Sequence, residues 1–548
     1  MLNGMIMDRP LLISSLLDYA VDYFGNQEIV SVTADDPAHC TTYRHVGERA
    51  RQLANALSRR FGIEPGDRVA TLAWNDHRHL EIYYGVSGSG AICHTINPRL
   101  FADQIVYIVN HAADRLLFVD PMFWPLVQKL APSLPSLEHV IVMTGTDSMP
   151  DGSEKAALNY EAVLAEQSDN FVWPTFEETA ASSLCYTSGT TGAPKGVLYH
   201  HRSTVLHSFS IALPNALGIG VDDVVLPVVP MFHVNAWGLP YACPMAGAKM
   251  VMPGPKLDGA SLCRLFDQEK VTLSAGVPTI WAGLLDHCAK SGEKLAALRT
   301  VVIGGSAAPP AMIERFENEH DVLALHGWGM TEMSPVGAVC RLGPAFADRD
   351  REVRRRQKAK QGRPLYGVDV KIVDEAGHAL PHDGETAGLL FVRGPWITSG
   401  YYQDDAASVE AFDSEGWFST GDIATIDSEG FIEITDRAKD MIKSGGEWIS
   451  SITLENLAVG HTAVAEAAVI GIRHPKWDER PLLIVVKREG RAATARDLLD
   501  HLRDKVANWQ LPDDVVFVDD LPHTATGKIQ KTALRERFKD HVWPENRR

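Results

Sequence analysis

Tyr186-Thr187-Ser188-Gly189-Thr190-Thr191-Gly192-Ala193-Pro194-Lys195-Gly196 decides how this chain is read. It gathers three glycines, four Ser/Thr hydroxyls and one lysine into eleven residues. Ala180 to Cys185, just before it, reads as a strand end, and a helix-like run begins at Ser203. Glycine tolerates positive φ, so such a loop can aim several backbone N–H groups at one point. Hydroxyls add donors, and a threonine can ligate Mg²⁺. Together these features suit a polyphosphate. A Walker A loop would read G-x-x-x-x-G-K-[ST]; here Pro194 and Gly196 flank the lysine and no hydroxyl follows it.

The surroundings are those of a large folded protein. The chain has 548 residues, 45% hydrophobic and 22% charged, which suits several layers of structure over a sizeable core. A net charge of −18 and a pI near 5.6 argue against general nucleic-acid binding and against a polybasic membrane anchor. Seven cysteines, at 40, 93, 185, 243, 263, 288 and 340, form no C-x-x-C pair and read as reduced thiols of a cytoplasmic protein. Met1 to Pro10 does not read as a signal peptide. No stretch approaches the ~20 apolar residues of a membrane span.

Strand-like and helix-like segments alternate to about residue 330, among them Ile29–Val32, Arg115–Val119, Val140–Met143, Val224–Val229 and Arg299–Ile303. This predicts an α/β fold with layered subdomains. Asp348 to Lys360 is dense in charge and reads as a solvated loop or helix face. From about 365 short strands and turns predict a β-rich subdomain ending near 436. A small α+β unit follows over 437–548.

Several further stretches carry candidate chemistry. Pro230 to Gly238 holds His233 and Trp237. Gly304-Gly305-Ser306-Ala307 follows a strand, and its small residues let a flat ring approach the backbone. In His326-Gly327-Trp328-Gly329-Met330-Thr331-Glu332 the indole stands between glycines, open to an adenine. Thr331 and Glu332 suit phosphate and Mg²⁺. Asp422 closes Ser419-Thr420-Gly421-Asp422. Thr435 to Asp440 is charged and sits where the composition shifts. Lys443-Ser444-Gly445-Gly446-Glu447-Trp448 follows, and Lys528 ends Thr524-Ala525-Thr526-Gly527-Lys528.

These stretches, in this order, resemble the adenylate-forming enzymes from about residue 40 to 531. Within that superfamily they are most similar to 3-methylmercaptopropionyl-CoA ligases and to medium- and long-chain fatty-acid–CoA ligases. The resemblance implies a large adenylation domain over 1–436, a mobile C-terminal domain over 437–548 and a hinge near Lys439. It implies ATP/AMP contacts from Thr187, Ser188, Gly189, Thr190, Thr191, Gly192 and Lys195, and from Gly305, Ser306 and Ala307. The same is implied for His326, Gly327, Trp328, Gly329, Met330, Thr331, Asp422, Arg437, Lys439, Lys443, Trp448 and Lys528. Thr187 and Glu332 would hold Mg²⁺. His233, Trp237, Ser444, Gly445, Gly446 and Glu447 would serve the acyl and CoA passages. Lys528 and His233 would be catalytic.

The expected activity is a carboxylate–CoA ligase using ATP and CoA, with 3-(methylthio)propionate as first substrate and short- or medium-chain fatty acids next. A homodimer is implied. An acyl-AMP ligase serving a carrier protein, a luciferase-like oxygenase and a non-enzymatic nucleotide sensor remain as alternatives.

Overall fold

The computed structural model describes the chain except residues 1, 3, 154–156, 188–192, 446, 504, 524–527 and 545–548. Two large sheets form the body. The first has seven strands, in the order Leu158–Asn159, His139–Val142, Leu116–Val119, Arg68–Leu72, Ile92–Thr95, Ala181–Tyr186 and Gly196–His200. Neighbours run parallel except the last pair. Its inner strands are continuous apolar runs; Leu-Leu-Phe-Val at 116–119 is buried throughout, as a sheet covered on both faces requires.

The second sheet has nine strands. Its parallel centre includes Val224–Pro227, Leu273–Gly276, Thr300–Ile303 and Leu323–Gly329. In open parallel sheets the carboxyl ends of the strands frame ligand crevices. Here Pro230–His233, Val277, Gly304 and Met330 come directly after those ends.

The expected β-rich segment is a four-stranded antiparallel sheet, Asp369–Val373, Gly388–Arg393, Phe418–Ile426 and Ile432–Arg437. The last hairpin is fixed locally. Asp427 accepts the N–H groups of Glu429 and Phe431 at 3.0 and 2.9 Å, and Gly430 takes φ +82°. The charged run at 348–360 proves only partly solvated. It forms helix Arg351–Ala359, and Lys360 is buried against Asp427 at 2.7 Å. Lys358 pairs with Glu317 at 2.6 Å, so the run fastens subdomains together.

The small C-terminal domain has a five-stranded sheet and an apolar core of its own, built on Ile449, Leu454, Val469, Leu483, Val485 and Leu502. No helix among the described residues is long and apolar enough to cross a membrane.

Candidate active site

The loop quoted first joins antiparallel strands Ala181–Tyr186 and Gly196–His200 at the edge of the seven-stranded sheet. Ser188, Gly189, Thr190, Thr191 and Gly192 lie outside the described residues. Its base is closed on both sides. Thr187 N–H donates to the Lys195 carbonyl at 2.9 Å, and Lys195 N–H donates to Thr187 Oγ1 at 3.1 Å. Tyr402 N–H holds the Gly196 carbonyl at 2.8 Å. The turn is thereby pinned to the segment carrying Tyr401.

Beside it opens a cavity of about 600 Å³. Its wall includes Thr187, Lys195, His233, Trp237, Gly305, Gly327, Trp328, Gly329, Met330, Thr331, Glu332, Arg437 and Lys528. Residues up to 341 positions apart in the chain thus face one space.

Two of them, Trp328 and Arg437, form one hydrogen-bonded unit with Asp422. This carboxylate is 1% exposed. It accepts Trp328 Nε1–H at Oδ2, 3.1 Å, and pairs through Oδ1 with Arg437 Nε at 2.8 Å. Burial pushes its pKa up, while Arg437, the indole N–H and Lys528 pull it back. The one donor of the indole is thus spent on Asp422. Arg437 also donates to the Thr420 carbonyl at 3.2 Å.

Glu332 forms a second unit with a residue the sequence reading missed. Tyr401 donates its hydroxyl to Glu332 Oε1 at 2.9 Å, and the Lys195 ammonium lies 4.8 Å from the Tyr401 ring centre. Burial raises the Glu332 pKa; the Tyr401 hydroxyl, Arg437 and Lys528 oppose it. A buried anionic oxygen at the cavity wall is the kind of ligand Mg²⁺ takes, alongside phosphate oxygens. Thr187 lines the same cavity, so the residues fit the ion. Thr331 is fixed by its backbone, its carbonyl accepting the Tyr199 hydroxyl at 2.5 Å.

Lys528 reaches the cavity from the small domain. Burial, then the Arg437 charge, lowers its pKa to about 8, against the pull of Asp422 and Glu332. His233 is partly buried on the same wall. Burial, with a smaller contribution from Lys528, holds its pKa near 3, so the ring is neutral.

The floor is a left-handed turn that local preferences oppose. Val234, Asn235, Ala236 and Trp237 have φ of 43°, 52°, 47° and 57°. Each such residue costs ~1–2 kcal/mol without glycine. Tertiary bonds hold the turn: buried Asn235 donates to Ser183 Oγ at 3.1 Å and accepts the Tyr83 hydroxyl at 3.2 Å. The result seats the Trp237 indole against Gly304, where an added Cβ would lie 2.9 Å from the ring. Strain of this kind collects at functional positions.

A second cavity, about 900 Å³, lies between the two domains. Ser306, Ala307, His326 and Lys439 line it. The ring of His326 is held by backbone on both sides. Its Nδ1 bonds the Ala359 carbonyl at 2.9 Å and its Nε2 accepts Ala308 N–H at 3.3 Å. Both nitrogens are spent and the pKa is near 4, so the ring braces the 307–308 backbone as a neutral group.

Lys443, Ser444, Gly445, Glu447 and Trp448 line neither cavity in this arrangement. Lys443 and Trp448 face each other across a hairpin, the ammonium 5.7 Å from the half-exposed indole. Ser444 Oγ accepts from Arg480 at 2.9 Å, and Glu447 is exposed. Gly445 has φ +62° with Trp477 packed over it, so no side chain fits there. Gly446 lies outside the described residues. Lys528, not Lys443 or Trp448, lines the cavity from the small domain in this arrangement.

Comparison with known proteins agrees with this geometry. The family described as AMP-binding enzyme matches residues 20–402, and the AMP-binding enzyme C-terminal domain matches 453–528. A 3-methylmercaptopropionyl-CoA ligase of Ruegeria lacuscaerulensis is 52% identical, over 98% of this chain and 99% of its own. A medium-chain-fatty-acid–CoA ligase of Ectopseudomonas oleovorans is 49% identical over 98% of each. Among solved structures, the anthranilate CoA ligase AuaEII in complex with anthranoyl-AMP superposes with a TM-score of 0.86. It is 27% identical and covers 97% of this chain and 98% of its own. With these matches over nearly its whole length, and with Thr187, Lys195, Trp328, Glu332, Arg437 and Lys528 lining one cavity, the chain belongs to the AMP-binding, adenylate-forming enzyme family.

Proposed function

We propose that the protein is an AMP-forming acid–thiol ligase that activates 3-(methylthio)propionate as its adenylate and passes the acyl group to CoA. The observation that carries this reading is the meeting of Thr187, Lys195, Glu332, Trp328 and Lys528 on one cavity. Relatives near 50% identity bear such names.

In the first step a carboxylate oxygen attacks the α-phosphorus of ATP. The P–O bond to pyrophosphate breaks, and pyrophosphate leaves with its electron pair. Trp328 offers a face to the adenine, Asp422 accepts from the ribose hydroxyls, and Thr187 and Lys195 hold phosphate oxygens. Lys528 places a positive charge between carboxylate and α-phosphate, where negative charge builds up. Glu332 and Thr187 would hold Mg²⁺, which neutralises phosphate charge when bound. In the second step the CoA thiolate attacks the acyl carbon and AMP leaves. We assign the change between steps to rotation of residues 437–548 about Lys439, which withdraws Lys528 and brings the 443–448 hairpin to the cavity. The same reading makes the enzyme a cytoplasmic homodimer; seven unbonded cysteines suit a reducing compartment.

A panel of carboxylic acids, assayed for AMP release with and without CoA, tests the assignment. The highest kcat/KM is expected for 3-(methylthio)propionate or a fatty acid of similar length. AMP release without thioester would instead favour delivery to a carrier protein, and oxygen uptake would favour luciferase-like chemistry.

Two predictions follow from the cavity. Lys528 acts as an ammonium and loses its proton near pH 8 rather than the usual ~10.4. Adenylation is therefore complete below pH 8 and is lost as pH rises through it. The pH profile of kcat/KM for ATP–pyrophosphate exchange, which reports the free enzyme, is expected to fall there. Lys528→Arg is expected to remove that limb, and a wild-type profile flat to about pH 10 would contradict the assignment.

Trp237 closes the floor, so Trp237→Ala is expected to favour longer acids. Each added methylene that finds apolar contact is worth ~0.8 kcal/mol. Over several methylenes, the kcat/KM ratio of octanoate to 3-(methylthio)propionate should rise at least about tenfold. An unchanged ratio would remove Trp237 from the acyl wall.

A further inference from the structure

Asp436 is the penultimate residue of strand Ile432–Arg437, on the large-domain side of the hinge, and it is fully buried. Its partners lie on the other side. Oδ2 accepts Ser451 N–H at 2.5 Å, and both carboxylate oxygens lie within 2.9 Å of Ser451 Oγ. Ser451 is the first residue of helix Ser451–Val459, so the carboxylate also sits at that helix's positive end. Lys531 completes the cluster. Its ammonium donates to Ser451 Oγ at 2.6 Å and pairs with half-buried Glu455 at 2.8 Å. The neighbouring bond crosses the same junction: Ser450 Oγ donates to the Thr435 carbonyl at 2.5 Å.

Lys531 stands three residues beyond Lys528, at the start of helix Lys531–Arg537. The cluster therefore ties together the large domain, the first helix of the small domain and the segment that presents Lys528. Rotation about Lys439 must draw Ser451 away from Asp436, because the two lie on opposite sides of that residue. Leaving the buried carboxylate without its donors is unfavourable, so the contact favours the present orientation.

We propose that Asp436 is a positioning residue, a latch that holds the small domain where Lys528 faces the nucleotide cavity and that opens for thioester formation. This rests on the two-step ligase reading. The predicted signature is a split between half-reactions, which a purely structural role would not give.

Asp436→Asn keeps the side-chain size but puts an amide where only acceptors fit. Its kcat for ATP–pyrophosphate exchange is expected to fall at least about tenfold, with the KM for ATP changing less than about threefold. Thioester formation from synthetic acyl-adenylate and CoA is expected to stay within about threefold of wild type or to rise. Ser451→Ala, which keeps the backbone donor, should show the same split more weakly. Lys531→Met should show it and Lys531→Arg should restore exchange. Equal loss of both half-reactions, or unchanged exchange, in the folded variants would overturn the latch.

Limited proteolysis across 437–445 gives a readout independent of turnover. Cleavage at least about tenfold faster in Asp436→Asn, at an unchanged melting temperature, is expected. Unchanged cleavage would overturn the proposal. If Asp436→Asn does not fold, Ser451→Ala and Lys531→Met decide by the same measurements. If wild type exchanges pyrophosphate with no carboxylic acid, the ligase reading fails, while proteolysis still judges the latch.

Discussion

Lys528→Ala is expected to lower ATP–pyrophosphate exchange by a factor of ~10²–10³ while leaving thioester formation from synthetic acyl-adenylate within about threefold of wild type. Removing a single preorganised donor to developing negative charge costs ~2.7–4 kcal/mol in other active sites. Lys528 offers a full charge in a partly closed space, among Arg437, Asp422 and Glu332. Its charge acts on the carboxylate and α-phosphate as they join. The CoA step has no such need in the proposed cycle, because the lysine has by then swung out with its domain. Exchange of labelled pyrophosphate measures the first step, and chromatography of thioester from pre-made adenylate measures the second. Equal loss in both would argue that Lys528 stays at the cavity throughout, and would sink the rotation. Lys528→Arg separates charge from shape: it keeps the positive charge but spreads it over a broader, planar group. Partial recovery of exchange is the expected result.

Part of this site was legible in the sequence, for local reasons. The stretch around 187–195 stands out because backbone freedom and donor chemistry are properties of the residues themselves, and its described ends, Thr187 and Lys195, line the cavity. Trp328 between two glycines announces a ring with an open face. The layered α/β fold was legible as alternation, and Arg115–Val119 as a strand; its parallel neighbours and its burial on both faces were not. What was not legible depends on distance in the chain. The partner of the Trp328 N–H is Asp422, 94 residues away. Tyr401 sits in a Gly-Tyr-Tyr stretch with no periodic signal, yet it joins Lys195 to Glu332. The left-handed turn at 234–237 runs against every local preference, and only the bonds of Asn235 to Ser183 and Tyr83 reveal why it holds. The partners of the His326 ring, the Ala359 carbonyl and the Ala308 N–H, lie on two other segments. Lys443 and Trp448 face each other across their hairpin and line neither cavity in this arrangement.

Asp422→Asn is expected to reduce kcat/KM for ATP by a factor of ~10–10² and to erase discrimination against deoxy-ATP. The wild-type carboxylate is acceptor-only, which is what ribose hydroxyls and the two donors already bound to it require. An amide in its place has one acceptor oxygen and must turn its NH₂ toward Trp328 Nε1 or Arg437, which are donors only, or toward the ribose, whose hydroxyls would then have to accept instead of donate. Each hydrogen bond to a charged group is worth ~1.5–3 kcal/mol, which sets the factor. Arg437 would also lose the partner of its Nε at 2.8 Å, and Lys528 would lose one of the two carboxylates that raise its pKa. The descending pH limb of exchange should therefore move to lower pH in this variant. The decisive comparison is a cycle of wild type and Asp422→Asn against ATP, 2′-deoxy-ATP and 3′-deoxy-ATP. If Asp422 holds the ribose, wild type loses affinity with at least one deoxy analogue and the variant loses little further. If both proteins lose the same factor, the ribose is held elsewhere. Asp422 would then serve only to fix Trp328 and Arg437, and the orientation assigned to the nucleotide in the cavity would have to be reversed.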